Sequence, residues 1–261
     1  EVAAFDKGGD GWWEKELAAG AGLAEGHRES KLAGSGKVEE YVEVSMRGWR
    51  PFHFHDTGRA SPMRNTQQLD DNAALRADAG NLAPYLYLLQ QKHSLAYGRI
   101  RDAIRQVAPF FDDFALRVNP LNEQTMRLEW RHRDDDGYFG PDSLSDGTLR
   151  FIALATLLLQ PIELRPKTIV IDEPELGLHP AALRLLAAML DSAAGDTQLV
   201  VATQSAALVD EVQLEDLLVV ERDRTGREST FRRIATQDVA AWIDEYSLGG
   251  LWNKNLLGGR P

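Results

Sequence analysis

A run of apolar residues that ends in two carboxylates constrains this sequence more than any other feature. Residues 168–174 read Thr-Ile-Val-Ile-Asp-Glu-Pro, so Asp172 and Glu173 directly follow a stretch of β-branched residues. Burying carboxylates is costly, and in a parallel sheet such a strand ends at the carboxyl edge, where ligands bind. There Asp172 would hold Mg²⁺, directly or through water, and Glu173 would polarise an attacking water. The alternative is a buried strand that ends in a solvated acidic turn.

The second feature is a helix start that is suited to binding phosphate. Its first residues, in chain order, are Ser145, Asp146, Gly147 and Thr148, and the apolar helix that they open is predicted to end near Gln160. A serine cap followed by small residues exposes free backbone N–H groups. Together with the positive end of the helix dipole, these groups bind phosphate. Taken alone, an ordinary serine N-cap explains the same residues.

The third feature is a second hydrophobic strand with a polar end. Residues 198–205 read Gln-Leu-Val-Val-Ala-Thr-Gln-Ser. Gln204 follows Asp172 by the length of a βαβ repeat, so the two strand ends should be neighbours. Gln204 would then touch a γ-phosphate or the attacking water. The alternative is a helix-capping turn formed by Thr203, Gln204 and Ser205.

The order and spacing of these features resemble the latter half of ABC-type ATPases. The resemblance makes residues 144–148 the signature sequence, Asp172 and Glu173 the Walker B pair, and Gln204 the switch residue. The sequence differs from the transporter pattern in two places, namely Leu-Ser-Asp-Gly-Thr at 144–148 and Glu-Leu-Gly-Leu-His-Pro at 175–180. They are similar to predicted ATPases related to SMC, RecF and OLD proteins, often labelled AAA or AbiEii-toxin-like. Three weaker matches have no assigned chemistry: residues 52–57, 108–113 and 251–260.

The resemblance implies an α/β fold of the P-loop NTPase type, an ABC-type head with a mostly parallel sheet flanked by helices. It also implies ATP and Mg²⁺ held between two heads of a homodimer. Asp172 would serve the metal, while Glu173 and Gln204 would be catalytic. The nucleotide of the partner head would be bound by the signature residues Ser145, Asp146, Gly147 and Thr148. The implied activity is ATP hydrolysis in DNA maintenance or phage defence, with DNA or an effector protein as partner.

Two residues depart from the wider superfamily and keep other functions open. Gln204 replaces the usual switch histidine, and a glutamine orients water but exchanges no proton near neutral pH. His179 stands where many relatives place an aspartate that contacts the other head. Both departures favour an alternative, a nucleotide-regulated binding module with little hydrolysis. A transporter ATPase subunit is a further alternative, which the signature residues disfavour.

The resemblance predicts three regions along the chain. Residues 1–80 form a Gly-rich and β region, residues 81–160 a helical lobe with the signature sequence and a β-hairpin, and residues 161–261 the Walker B and switch half. The expected strands lie at 38–44, 114–118, 126–130, 168–171, 198–203, 217–221 and 229–234. The expected helices begin near residues 82, 94, 146, 180 and 206, and the last helix spans 237–246.

Composition narrows the class of protein. The 261 residues include no cysteine and carry a net charge of −11. Without cysteine neither a disulfide framework nor a thiolate metal site is available, which fits a reducing cytosol. The longest apolar stretch, residues 151–159, is about half of the roughly 20 residues that a membrane-spanning helix needs. We therefore expect a cytoplasmic protein with no membrane partner, and the acidic charge leaves room only for a local basic groove.

Two further groups of residues leave alternatives open. His53 and His55 would share one face of a strand beside Asp56, so they are either a metal site or part of an aromatic-rich strand. Three arginines on the predicted second helix are either a solvated face or a DNA contact, namely Arg99, Arg101 and Arg105.

A phosphate loop of the form Gly-x-x-x-x-Gly-Lys-Ser/Thr is missing from the sequence. The nearest stretch is residues 34–37, Gly-Ser-Gly-Lys, but Lys31 replaces the first glycine and Val38 replaces Ser or Thr. The resemblance therefore predicts a head that is incomplete at its N-terminus. We expect ATPase activity in the parent protein and an inactive fragment.

The missing loop leads to a prediction about ATP binding. Without a backbone cradle for the phosphates, the 261-residue chain alone should bind ATP more weakly than micromolar. Isothermal titration calorimetry with Mg·ATP measures this directly, and a micromolar dissociation constant would contradict the expectation.

Overall fold

The computed structural model describes residues 49–222, 229–243 and 245–259. The predicted strand at 38–44, the Gly-rich segment before it and the stretch at 34–37 lie outside these residues. The described helices are α1 (Leu82–Lys92), α2 (Ser94–Val107), α3 (Asp146–Leu159), α4 (Pro180–Ala194), α5 (Ala206–Val209), α6 (Thr236–Val239) and α7 (Leu248–Asn253). The described strands are β1 (Trp49–Phe52), β2 (Gln67–Gln68), β3 (Phe111–Phe114), β4 (Val118–Asn119), β5 (Asn122–Met126), β6 (Trp130–His132), β7 (Tyr138–Phe139), β8 (Thr168–Asp172), β9 (Gln198–Ala202), β10 (Leu218–Arg222) and β11 (Ser229–Arg233).

A parallel strand pair with a crossover helix forms the centre of the fold. Strands β8 and β9 pair in parallel from Thr168 opposite Gln198 to Asp172 opposite Ala202, and α4 connects them. Strand β1 completes this sheet on the other side of β8. The bounds of β8, α4 and β9 match the predicted elements to within about two residues, because each has a clear apolar pattern.

Helix α3 is the central helix of the main core. Every residue from Leu149 to Leu158 is buried, and α3 packs against both α2 and α4. A helix that is apolar on all sides needs such surroundings. The helix begins at the predicted residue and its C-cap is Gln160, as the following proline predicts.

The region between α2 and α3 contains two small antiparallel sheets where the sequence predicts one hairpin. Phe114 pairs with Trp130 in the sheet β3-β6-β7, whereas Val118 pairs with Met126 in the sheet β2-β5-β4. The predicted strands at 114–118 and 126–130 therefore face each other, but they are not continuous. Between the two sheets the chain turns, since the N–H of Arg117 donates to the carbonyl of Ala115.

A second, smaller core lies in the C-terminal part of the chain, where β10 and β11 form an antiparallel hairpin. The predicted helix at 237–246 is wrong in length, because α6 ends at Val239 and separate turns follow. Trp242 and Ile243 are largely exposed. The segment therefore lacks the buried apolar face that stabilises a helix of this size.

A buried arginine ties the central elements together. Arg150 lies in the middle of α3 and is 5% exposed. Its guanidinium donates to the carbonyl oxygens of Phe54 (2.8 Å), His55 (3.0 Å) and Leu176. Burial lowers the pKa of Arg150, yet an arginine remains protonated at neutral pH. One charged group therefore fixes α3, the segment after β1 and the loop after β8.

Replacing Arg150 should therefore destabilise the fold strongly. In Arg150→Met three carbonyls lose their donor inside or at the edge of the core, and the free energy of unfolding should fall by about 3 kcal/mol. Urea denaturation measures the change. Arg117→Met is the matched control, because Arg117 pairs with Glu129 at the surface and should contribute less than about 1 kcal/mol. Equal losses in the two variants would contradict this account.

Candidate active site

The two predicted polar strand ends are neighbours, as their spacing along the sequence predicts. Asp172 ends β8 opposite Ala202, the last residue of β9. The N–H of Glu173 continues the ladder by donating to the carbonyl of Ala202 at 2.8 Å. The acidic pair therefore leaves the sheet directly beside Thr203 and Gln204, at the carboxyl edge where α/β folds bind ligands.

Glu173 has an unusual backbone conformation. Its φ is +41°, in the left-handed region that a residue with a Cβ rarely adopts. Two other non-glycine residues share such a φ among the described ranges, Ala79 and Asn255, but neither lies at a strand end of the central sheet. The N–H of Leu176 donates to the carbonyl of Glu173 at 3.2 Å and closes the turn. Backbone strain of this kind is concentrated at functional sites, where the surrounding structure maintains it.

A carboxylate that sequence reasoning did not assign joins the two strand-end loops. The hydroxyl of Thr203 donates to Oε1 of Glu175 at 2.5 Å, and the N–H of Ser205 donates to the same hydroxyl at 3.0 Å. Oε2 of Glu175 is buried without a hydrogen-bond partner among the described residues. The only signal in the sequence is an acid two residues after Glu173 and a hydroxyl just before Gln204.

The start of α3 is capped as predicted. Oγ of Ser145 accepts from the N–H of Thr148 at 3.1 Å and lies 2.8 Å from the hydroxyl of that residue. A Cβ at Gly147 would stand 2.2 Å from the carbonyl oxygen of Gly177, in the loop after β8. Gly177 itself has a φ of +76°. The start of α3 and the loop with the acidic pair are therefore in contact, and only a glycine fits at position 147.

A second buried arginine, also missed by sequence reasoning, holds the approach to α3. Arg64 donates to Oδ1 of Asp146 at 2.8 Å and to the carbonyls of Thr57 (2.7 Å) and Leu144 (3.2 Å). It also donates to the carbonyl of Pro141. The carboxylate of Asp146 is thus engaged within the chain. No local pattern marks Arg64, because three of its four partners are distant in sequence.

The C-terminal segment at residues 251–260, a match with no assigned chemistry, contacts the switch loop, which is the loop after β9 that carries Gln204. The indole N–H of Trp252 donates to the carbonyl of Gln204 at 3.2 Å, while the side chain of Gln204 is exposed. The N–H of Gly249 donates to Oδ1 of Asp210 at 2.6 Å. A Cβ at Gly249 would come within 2.1 Å of the carbonyl of Ala206, so α7 packs closely on α5.

His53 and His55 lie beside the end of β8. Nε2 of His55 donates to the carbonyl of Asp172 at 2.9 Å, and both His53 and His55 lie after β1 and not in a strand. Within the described ranges, no group of three or more His, Cys, Asp or Glu side chains is placed to hold a metal ion. The described residues therefore supply no further ligand for the metal alternative. Nδ1 of His179 accepts from the N–H of Ala181 at 3.2 Å and caps α4.

The arginines of α2 divide into two kinds. Arg101 pairs with Asp102 and Asp113, and Arg105 pairs with Asp102 and Asp112. These pairs form a solvated, neutralised face. Arg99 has no such partner among the described residues and lines a separate cavity.

Comparison with known families identifies the class of protein. The family described as "AAA domain, putative AbiEii toxin, Type IV TA system" matches residues 21–210. The chain belongs to this family, and it is an AAA-type ATPase domain. The α/β fold class of the P-loop NTPases, predicted from the sequence, is confirmed. No curated protein matches the sequence.

Solved structures of SMC heads are similar to the chain, but only weakly. One comes from work on ATP-driven dimerization and DNA stimulated activation of SMC ATPases, with 14% identity, a TM-score of 0.45, and coverage of 61% of this chain and 96% of the other. An SmcHead bound to the C-winged helix domain of ScpA has 13% identity, a TM-score of 0.47 and coverage of 65% and 50%. The Smc head domain of Pyrococcus furiosus bound to the C-terminal domain of ScpA has 14% identity and a TM-score of 0.46. The match covers 65% of this chain and 44% of the other. The chain thus spans half or less of the last two, and no residue role follows from values this low.

Within the described part of the chain, no helix is long and apolar enough to cross a lipid bilayer.

The contact between Gly147 and Gly177 can be tested with one methyl group. Gly147→Ala should force the loop after β8 away from α3 and lower the free energy of unfolding by about 2 kcal/mol. Gly98→Ala is the control, because a Cβ there meets nothing within 4 Å on α2 and should stabilise the helix by about 0.5–1 kcal/mol. Thermal unfolding measures both. A Gly147→Ala protein as stable as the parent chain would show that the start of α3 and the loop after β8 are not in contact.

Proposed function

We propose that this ATPase domain hydrolyses ATP with Mg²⁺ at the interface of a head-to-head homodimer. One observation carries the proposal: Asp172 ends one strand of a parallel pair, Glu173 and Gln204 follow the ends of the two strands, and the start of α3 contacts the same acidic loop. Carboxylates and an amide beside a phosphate-binding helix start are the groups that phosphoryl transfer to water requires.

The acidic pair is suited to Mg²⁺ and to activation of water. Mg²⁺ is commonly bound through one or two carboxylates together with phosphate oxygens, so Asp172 at the sheet edge fits this role without a larger protein cluster. When bound, the metal would neutralise charge on the phosphates. Glu173 would accept a hydrogen bond from the attacking water, and its constrained backbone would fix the direction of the carboxylate. The amide of Gln204 would orient the water or the γ-phosphate.

The start of α3 would serve the nucleotide of the partner head. Ser145 and Gly147 would contact that nucleotide. The backbone N–H of Asp146 and the positive end of the helix dipole would add positive potential, while the N–H of Thr148 is already donated to Ser145. The carboxylate of Asp146 is held by Arg64, which keeps its negative charge partly compensated. Arg150 and Gly177 support the proposal, because they link this helix start to the loop that carries the water-activating residue.

The biological setting is proposed at a coarser level. We infer a cytoplasmic role in DNA maintenance or phage defence, with DNA or an effector protein as partner. The family description names a type IV TA system, which is compatible with a defence role.

Replacing the water-activating residue tests hydrolysis. Glu173→Gln in the full-length protein should reduce ATP turnover by at least about 100-fold, because general-base catalysis is lost, while ATP stays bound and the dimer accumulates. A phosphate-release assay and size-exclusion chromatography with light scattering provide the readouts. Glu123→Gln is the control, because Glu123 is an exposed acid in β5. It should leave ATP turnover and dimerisation unchanged.

The same two assays distinguish ATP hydrolysis from the second candidate function, a nucleotide-regulated binding module. Gln204 at the switch and His179 as a helix cap favour a nucleotide-regulated binding module. ATP binding and dimerisation without turnover in the unmodified protein would support the module and refute the ATPase. Undiminished turnover in Glu173→Gln would refute the assignment of Glu173.

A further inference from the structure

A cavity of about 520 Å³ lies where the start of α2 meets the segment after α3. It is lined by residues 92–96 and by Arg99 on one side, and by residues 160–163, Arg165 and Asp196 on the other. None of the residues of the candidate active site lines it. The volume is within the range of small-molecule sites.

Cations without partners dominate this cavity. Lys92 and Arg99 form no ion pair or hydrogen bond within residues 49–222, 229–243 and 245–259. By contrast, Arg101, which shares α2 with Arg99, is paired. Of the two carboxylates in the lining, that of Glu163 is 3.6 Å from Nδ1 of His93. The lining therefore carries more positive than negative charge.

Arg165 adds a half-buried charge. Its Nη2 donates to the carbonyl of Gln160 at 3.1 Å, while its Nε is buried without a partner among the described residues. Burial lowers the pKa of Arg165, and the positive charge of Arg99 lowers it further, against the opposing effect of Asp196. A guanidinium in this position is stabilised by an added anion.

The start of α2 adds further positive potential to the cavity. Helix α2 has 14 residues, and the side chain of its N-cap, His93, forms no capping hydrogen bond. The residues of its first turn, Ser94, Leu95 and Ala96, line the cavity, so their backbone N–H groups and the positive end of the helix dipole are available to an anion. The side chains of Leu95 (85% exposed) and Ile162 (55% exposed) add apolar surface to the same lining.

We propose that this cavity binds a small phosphate ester, with the phosphate between Arg99, Arg165 and the start of α2 and the organic part against Leu95 and Ile162. The site is separate from the proposed ATP site and does not depend on ATP hydrolysis. It would give the domain a second, small-molecule input.

Phenyl phosphate is a suitable probe, because it combines a phosphate with an apolar ring and lacks the nucleoside that an ATP site would select. The 261-residue chain should bind it with a millimolar dissociation constant, measured by calorimetry and by NMR shifts of the amides of Ser94, Leu95 and Ala96. Phenol, which lacks the charge, should not bind. Arg99→Gln should weaken binding about tenfold through loss of a charge-assisted contact.

Arg101→Gln is the matched control, since Arg101 is on the same helix and is already paired with Asp102 and Asp113. It should change affinity by less than about twofold, because a paired exposed charge contributes little. Arg99 is exposed, so Arg99→Gln should keep the fold. The proposal is overturned if the unmodified chain shows no saturable binding, or if both variants of α2 weaken binding equally. Binding of short duplex DNA that depends on Arg99, with none of phenyl phosphate, also overturns it.

Discussion

The arrangement of the site depends on one charged group inside an apolar helix. Arg150 replaces what would otherwise be a core residue of α3, and its hydrogen bonds go to backbone carbonyls. Three segments that are far apart in sequence must therefore keep their positions for the guanidinium to remain satisfied. A lysine would not substitute, because its ammonium lacks the planar fork that reaches several acceptors at once. Leu176, one of the acceptor residues, is in the loop that follows Glu173, so the core and the candidate active site share this constraint.

Close backbone contact then restricts the acidic loop further. Gly147 and Gly177 leave no room for a side chain between α3 and the loop, and Glu173 leaves the strand in a left-handed conformation. On its other side, the loop is held by the hydrogen bond from Thr203 to Glu175. The loop is thus fixed by a core arginine, a glycine contact and a neighbouring strand end. Rigid support of this kind is what a site needs to hold a carboxylate in one direction before a ligand arrives.

Sequence reasoning predicted the features that have a local pattern. The strand that ends at Asp172, the Ser145 cap and the neighbouring end of β9 all follow from periodicity and spacing. It did not find Arg64 and Arg150, because their partners are mostly backbone carbonyls, which any residue type supplies, and most of them are distant in sequence. The interruption between Phe114 and Val118 was missed because two short sheets share one alternating stretch. The last helix was predicted too long because propensity was counted without the burial that would stabilise it.

The contact of Trp252 with Gln204 has a consequence for the order in which the domain is assembled during synthesis. The ribosome releases the strand pair β8 and β9 well before it releases α7, and chains fold as their residues emerge. Until the segment around Trp252 follows, the carbonyl of Gln204 and the surface of α5 lack the partners that they have in the finished structure. At that stage of synthesis the switch loop is therefore incomplete, whether or not the central sheet has formed. A nascent chain carries the acidic pair at its sheet edge but acquires the final support of its switch residue only from the C-terminal segment.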